Sequence, residues 1–389
     1  MKKVPILVLS AVFAVFSGAA AFSIDFGGLV ENYSEVKGNK CNSDDMKLKQ
    51  TDDVRIWLKQ PLSKDGTSYI ATEGMYKYTY DYGTEKTRNI LDLSLFKLAV
   101  SASVGESNLF SVSLGRFNVS DASGNVFNQY SDGARISFKM SRATISAYGG
   151  YTGLTNAESI TMLKGEKSQF TYDSDKLYDT NVKYIPYSLT ITAPYLFLNQ
   201  TFTVEGWGFS DISGDDTTYS KYYGTASIGG PLAGTVYYTV SSTFGKIEHE
   251  DDICNMTKAD IAVYPSFLSS SLKLRGLYAS GKQGPFSAFK GVTSRTATLA
   301  LNEPEYTGMI LYGISTSIKP VKQVILSAGG DVVLAYPEDD IKYDGFQWIA
   351  NATWQVVTDL QLSAGAYQYN ADDTARSKTS FSLRAVLSF

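Results

Sequence analysis

Histidine and cysteine are nearly absent: the 389 residues hold one His and two Cys. The single histidine, His249, lies among Glu248, Glu250, Asp251 and Asp252, so a histidine-based triad would need a serine brought from a distant part of the chain. No nucleophile elbow, phosphate-binding glycine loop or zinc-ligand spacing occurs. The chain is therefore expected to be no enzyme and to hold no cofactor. Positive charge is also short: 35 Lys and Arg against 39 Asp and Glu give a net charge of −4, which argues against nucleic acid as a partner. Long apolar runs are missing beyond the amino terminus, and nothing after it approaches the ~20 residues of a membrane-spanning helix. Any insertion into a membrane must then use strands.

The amino terminus itself reads as a secretory signal. Lys2 and Lys3 precede an apolar run over residues 4–16, and Ala19 and Ala21 supply the small residues for cleavage before Phe22. The run is short for an anchor, and no cysteine directly follows the cleavage point, so no lipid attachment is expected. Residues 1–21 are assigned to the signal peptide and 22–389 to one barrel domain. That domain is rich in Tyr (27) and Phe (20), while hydrophobic content stays at 43%. A β-barrel in lipid needs only one apolar face per strand, so its overall composition looks like that of a soluble protein.

In the last stretch Phe381, Leu383, Ala385, Leu387 and Phe389 form one apolar row, and Ser380, Ser382, Arg384 and Ser388 lie opposite. A period of two is a strand with one greasy and one wet face. An aromatic residue carrying the free carboxylate suits a membrane interface better than a buried core. The stretch resembles the carboxyl-terminal signal strand of bacterial outer-membrane β-barrels. That resemblance implies an outer-membrane site in a diderm bacterium, and recognition of Phe381, Leu383, Leu387 and Phe389 by the barrel assembly machinery.

The rest of the chain repeats the pattern. Short links centred on Gly105-Glu106, Met140-Ser141, Leu196-Phe197, Gly230-Pro231, Phe267-Leu268, Lys319-Pro320 and Val357-Thr358 alternate with longer ones at 118–132, 152–186, 245–257 and 281–304. Candidate strands begin at 23–33 and 54–59, with the polar stretch 34–53 read as a loop. Outer-membrane barrels place tight turns on the periplasmic side and longer loops outside. The expected fold is all-β: a transmembrane antiparallel up-and-down barrel of about eighteen strands, or sixteen if one strand is wrongly split. Phe346, Trp348, Ala350, Ala352, Trp354 and Val356 share one face, with rings at both ends and small residues between, while Gln347, Asn351, Thr353 and Gln355 oppose them. This is the pattern of two aromatic girdles around a lipid-facing band.

Sixteen or eighteen strands enclose an aqueous channel unless something blocks it. Alternation places Arg55, Lys59, Arg135, Arg142, Lys273, Arg275 and Arg384 on the wet face against Asp92, Glu205 and Asp331, which predicts a lumen favouring anions or acidic sugars. Mutual pairing of these charges is the alternative. The loop 152–186 has the length to fold inward, with Tyr172, Tyr178 and Tyr184 lining a constriction, or else to cap the outer surface. Strict alternation puts Arg116 with Phe110, Val112 and Leu114 on the lipid face, which a bulge at Gly115 or a place at the outer rim would resolve. Leu114-Gly115-Arg116-Phe117 and Asp132-Gly133-Ala134-Arg135-Ile136 resemble a strand pair of substrate-selective porins, including the alginate-export and carbohydrate-selective groups. The resemblance implies that Arg116 and Arg135 stand near a narrow part of the channel.

Cys41 and Cys254 both fall in expected outer loops, where oxidising conditions permit a bridge if the loops bring them together. The acidic runs around His249 and at Glu338-Asp339-Asp340 are solvated loop faces or weak cation ligands, and no metal centre is expected. Two functions fit this reading: a porin passing small hydrophilic solutes, and a barrel acting mainly as an adhesin through its loops. The expected width favours the porin, since an adhesive scaffold needs no wide lumen.

Overall fold

A computed structural model of the protein describes residues 24–39, 46–160, 162–164, 167–168, 176–214, 219–282, 286–293, 307–335 and 340–389. The signal segment 1–21, Cys41, Tyr172, Glu338 and Asp339 lie outside them. The strands in chain order are β1 (Asp25–Asn39), β2 (Lys47–Pro61), β3 (Tyr69–Asp81), β4 (Lys86–Val104), β5 (Asn108–Ser120), β6 (Asn128–Lys139) and β7 (Thr144–Tyr151). After the two-residue strands β8 (Leu163–Lys164) and β9 (Lys167–Ser168) come β10 (Tyr184–Ala193), β11 (Thr201–Asp211), β12 (Lys221–Ala233), β13 (Val236–Ile247), β14 (Cys254–Val263) and β15 (Ser271–Ala279). The wall ends with β16 (Met309–Val321), β17 (Val324–Ala335), β18 (Lys342–Val357), β19 (Leu360–Ala371) and β20 (Lys378–Ser388).

Eighteen of these form one closed antiparallel sheet. Each wall strand pairs with its neighbour, β7 pairs directly with β10, and β1 pairs with β20 to close the ring. Closure leaves no sheet edge, so every wall strand finds its hydrogen-bond partners within the protein. At the seam Phe389 donates its N–H to Gly28 O at 3.1 Å and accepts from Gly28 N at 2.9 Å, tying the last residue into the first strand. The hairpin β8–β9 belongs to the connection between β7 and β10.

Both ends of the wall lie at the mouth with short connections, as an even strand number requires. The outer face carries the apolar residues. Phe346, Ala350, Ala352 and Trp354 are exposed while Gln347 is fully buried, and Phe381, Leu383, Leu387 and Phe389 all point outward. Exposed rings gather at the short-turn end (Phe26, Tyr237, Trp354, Phe389) and at the long-loop end (Tyr187, Tyr222, Tyr312, Phe346). Aliphatic residues such as Leu189, Ile191, Val204, Ile261, Leu274 and Ile314 fill the band between them.

Four local expectations need correction. The polar stretch 34–53 is mostly strand, because β1 runs to Asn39 and β2 starts at Lys47, pairing Lys37 with Lys47 at the top of the wall. The links placed at Gly230-Pro231 and Lys319-Pro320 are strand: the reversals come at 234–235 and 322–323, and each proline sits beside a register irregularity at the rim. Proline cannot donate to the ladder, so a bulge near a strand end accommodates it as well as a turn does. Arg142 belongs to the β6–β7 turn and is exposed there, not on a strand facing the lumen. Cys254 is the buried first residue of β14, not part of a loop, and its suggested partner Cys41 is outside the described residues.

Candidate functional site

The lumen is divided by what folds into it. The β5–β6 connection turns inward and leans over the wall past the next two strands, β7 and β10, where Ala122 donates its N–H to Glu205 Oε1 of β11 at 2.5 Å. Asp121 shapes this tip by accepting backbone N–H groups from Ser123, Gly124, Val126 and Phe127; those of Ser123, Val126 and Phe127 would otherwise be orphaned in a buried turn. Phe127 packs on Trp207 and Phe209 of β11 at ring-centroid distances of 5.6 and 5.2 Å.

Two further segments lean on this tip. Val292 and Thr293, from the β15–β16 connection, donate to Val126 O, and Leu163 of the long β7–β10 connection donates to Val292 O at 2.8 Å. Together they bury an apolar cluster inside the barrel, with Met162, Tyr184, Phe209, Tyr223, Met256, Phe289 and Leu311 among its members. The expected inward fold of the 152–186 loop is thus present, and the shorter β5–β6 connection folds inward beside it. Tyr184 lies in the buried cluster and Tyr178 is exposed, donating its hydroxyl to Leu154 O.

The other side of the lumen, against β20 and β1–β6, stays polar. A cavity of about 740 Å³ is lined there by Glu31, Asp53, Arg55, Lys77, Arg88, Arg384 and Glu158 of the infolded loop, among others. Beyond the β5–β6 tip a second cavity of about 360 Å³ is walled by Arg135, Glu205 and a field of hydroxyls that includes Ser137, Ser146, Thr190, Thr192 and Thr203.

Most of the expected inward charges are paired. Arg384 holds Glu31 through two hydrogen bonds of 2.8 and 2.7 Å, and Arg55 holds Asp53 at 2.8 Å with Glu73 at 3.9 Å. Lys273 meets Asp260 at 3.2 Å, and Arg275 meets Asp331 at 2.6 Å. These pairs bring little net field into the channel.

Arg116 is held from several sides. It is 7% exposed and forks onto Asp132 at 2.9 and 2.8 Å, reaches Asp92 at 3.2 Å, and donates to Leu93 O and to Leu154 O of the long connection. Gly115 before it has φ +103°, and a Cβ there would run into Phe96 O. Only glycine takes that turn readily. On the neighbouring strand Ser94 is left out of the ladder, since Leu93 pairs with Gly74 and Leu95 with Glu73.

That bulge in β4 reveals the group the sequence concealed. It reverses the alternation, so Asp92 and Lys97 both face inward although they stand five positions apart. Lys97 then joins a row of cations and rings along the wall. Lys59 lies 4.7 Å from the Tyr69 ring, and Lys97 lies 5.6 Å from Tyr69 and 5.5 Å from Phe117. Arg135 lies 5.7 Å from Phe117 and 5.9 Å from Tyr148. Lys59 and Lys97 sit in register on either side of Ala71, a small residue that leaves both free to reach into the lumen. Among the described residues none of Lys59, Lys97 and Arg135 makes an ion pair with a carboxylate, so their charge is turned to the channel.

Comparison with known proteins shows which architecture this is. No protein-family model and no curated protein matches the chain. Among solved structures it is similar to Pseudomonas aeruginosa OccK5 (OpdH), with a TM-score of 0.62 and 10% identity over 94% of this chain and 98% of that one. It is equally similar to OccK2 (OpdF) of the same bacterium in complex with glucuronate, at 0.62 and 10% over the same shares. P. aeruginosa OprD gives 0.59 and 12% over 96% of this chain and 97% of its own. The likeness is one of fold. Coverage of 94–96% of this chain and 97–98% of the others spans the barrel.

Among the described residues no three His, Cys, Asp or Glu side chains converge. The acidic run around His249 is engaged locally. Glu248 accepts from Ser220 N, which holds its carboxyl below the usual range, and Glu250 pairs with Lys290 at 2.8 Å.

Proposed function

We propose that the protein, after removal of residues 1–21, is an outer-membrane porin through which small hydrophilic solutes diffuse passively, with a preference for anions such as acidic sugars. The observation that carries this reading is the row Lys59, Tyr69, Lys97, Phe117, Arg135 and Tyr148. Its three cations lack carboxylate partners among the described residues, and it runs along the wall from β2 to β7, with Tyr69 half-buried and Phe117 and Tyr148 belonging to the buried cluster.

The chemistry suits sugar acids. A carboxylate passes from one ammonium or guanidinium to the next, while the half-buried Tyr69 ring between Lys59 and Lys97 accepts the apolar face of a pyranose. The hydroxyl field of the second cavity offers donors and acceptors to the sugar hydroxyls. Glucuronate in the OccK2 structure is of the same chemical class. The apolar outer band with its two aromatic rings supports a membrane setting, and the outward row Phe381, Leu383, Leu387 and Phe389 supports delivery by the barrel assembly machinery.

The adhesin reading has less to support it, because the connections 121–127 and 286–293 turn into the barrel and not outward. Swelling of liposomes containing the refolded protein tests the proposal. Glucuronate salts should enter faster than neutral sugars of the same size, and equal rates would remove the anion preference. Liposomes that never swell would remove the channel.

A further inference from the structure

A second collection of positive charge stands apart from the row in the wall, at the long-loop mouth beside the closing seam. There Lys37 of β1 is the in-register partner of Lys47 of β2, both on the lumenal side of the ladder. Like charges directly opposite on one face destabilise an antiparallel pair. Lys378 of β20 pairs with Asn39 and so lies diagonal to Lys37, and Lys49 stands two residues below Lys47. The four lysines line one cavity of about 360 Å³ together with Glu35 and Asp81.

The two carboxylates are occupied by neutral groups. Glu35 accepts the Ser380 hydroxyl at 2.6 Å, and Asp81 accepts the N–H groups of Gly83 at 2.8 Å and Thr84 at 3.2 Å. Lys49 is flanked in register by both, yet neither it nor Lys37 nor Lys47 makes an ion pair with a described carboxylate. With Lys378 left aside, three lysines still stand against two carboxylates among the described lining residues. An anion bridging Lys37 and Lys47 would turn their repulsion into attraction.

The residue type narrows the ligand. Ammonium groups are compact charges with three donors each and adapt to tetrahedral oxyanions, whereas guanidinium forks match planar carboxylates. The described cations lining this cavity are all lysines, while Arg55 and Arg384, in the deeper cavity, fork onto carboxylates of the wall. Because the lysines face the lumen, a dissolved anion reaches them and a lipid headgroup on the outer wall does not.

We propose that Lys37, Lys47, Lys49 and Lys378 form a binding site for a soluble multivalent phosphate at the long-loop mouth. The site deepens the porin reading by naming a class of anion collected before entry, and it rests on that reading for its consequence but not for its binding. Titration calorimetry of the full folded barrel in detergent at low salt, with inorganic tripolyphosphate as probe, tests it without requiring conduction. The wild type should bind, and Lys37→Gln/Lys47→Gln should weaken binding about tenfold. Lys37→Arg/Lys47→Arg, which keeps the charge, should restore most of it, and Lys322→Gln in the short turn at the opposite mouth should change nothing. Failure of the wild type to bind, or binding by the double Gln variant that equals the wild type, would overturn the site. A barrel that binds tripolyphosphate but never conducts would keep the site and sink the porin.

Discussion

Arg275 reaches Asp331 across an intervening strand. The two lie on β15 and β17, and the residue in register between them is Gly313 of β16. Nε and a terminal nitrogen of the guanidinium meet Oδ1 at 2.7 and 2.6 Å, and Gln347 donates its Nε2–H to Oδ2 at 2.7 Å. A Cβ on Gly313 would occupy the space of the ion pair itself. Both side chains are almost wholly buried, so breaking the pair strands a charge. Asp331→Asn should cost about 3 kcal/mol, read as a lower urea midpoint with unchanged slope. Gly313→Val should do similar damage although it removes no charge. Wild-type midpoints in both variants would show that the lumen hydrates the pair.

Arg116 fastens the long β7–β10 connection to the wall through Leu154 O while forking onto Asp132. Arg116→Ala should free that connection, and the open-channel current should become noisier and larger. Arg116→Lys keeps one charge but loses the fork, so it should fall between the two. Current traces matching the wild type in both variants would assign the loop's position to its apolar packing alone.

Asp121 has a parallel role at the tip of the infolded β5–β6 connection. Asp121→Ala leaves the backbone N–H groups of Ser123, Val126 and Phe127 without the carboxylate that accepts them, each costing about 1–3 kcal/mol if it stays buried and unpaired. The tip should leave Glu205 and the conductance should rise. An unchanged conductance would mean that the packing of Phe127 on Trp207 and Phe209 holds the tip by itself.

Phe389 both bonds Gly28 through its main chain and projects its ring from the outer face at the seam. Removing it should lower the amount of folded, heat-modifiable barrel in the outer membrane of an expressing cell. Barrel refolded in detergent should change far less, because the ladder to β1 remains. Equal losses in both settings would argue for a purely structural residue.

The architecture was legible because one face of each strand is apolar: residues such as Phe346, Ala350 and Trp354 announce their side of the wall, and the terminal strand announces its end. Alternation fails wherever one residue steps out of the ladder. Ser94 does so in β4, and everything beyond it changes face, which is why Lys97 escaped notice while Asp92 did not. Gly115 hinted at the same irregularity next door. The turns at 234–235 and 322–323 were obscured by Pro231 and Pro320, strong local signals that the rim absorbs as bulges. Charge pairing was beyond reach, since Arg275, Gly313 and Asp331 come together only through register.

The central claim is that Lys59, Lys97 and Arg135 set an anion-favouring path. The direct test is the reversal potential of single channels in a planar bilayer under a salt gradient, for the wild type and for Lys59→Gln, Lys97→Gln and Arg135→Gln combined. The account predicts anion preference in the wild type and its loss in the triple variant, with conductance retained. Cation preference in the wild type, or anion preference that survives removal of all three charges, would contradict it.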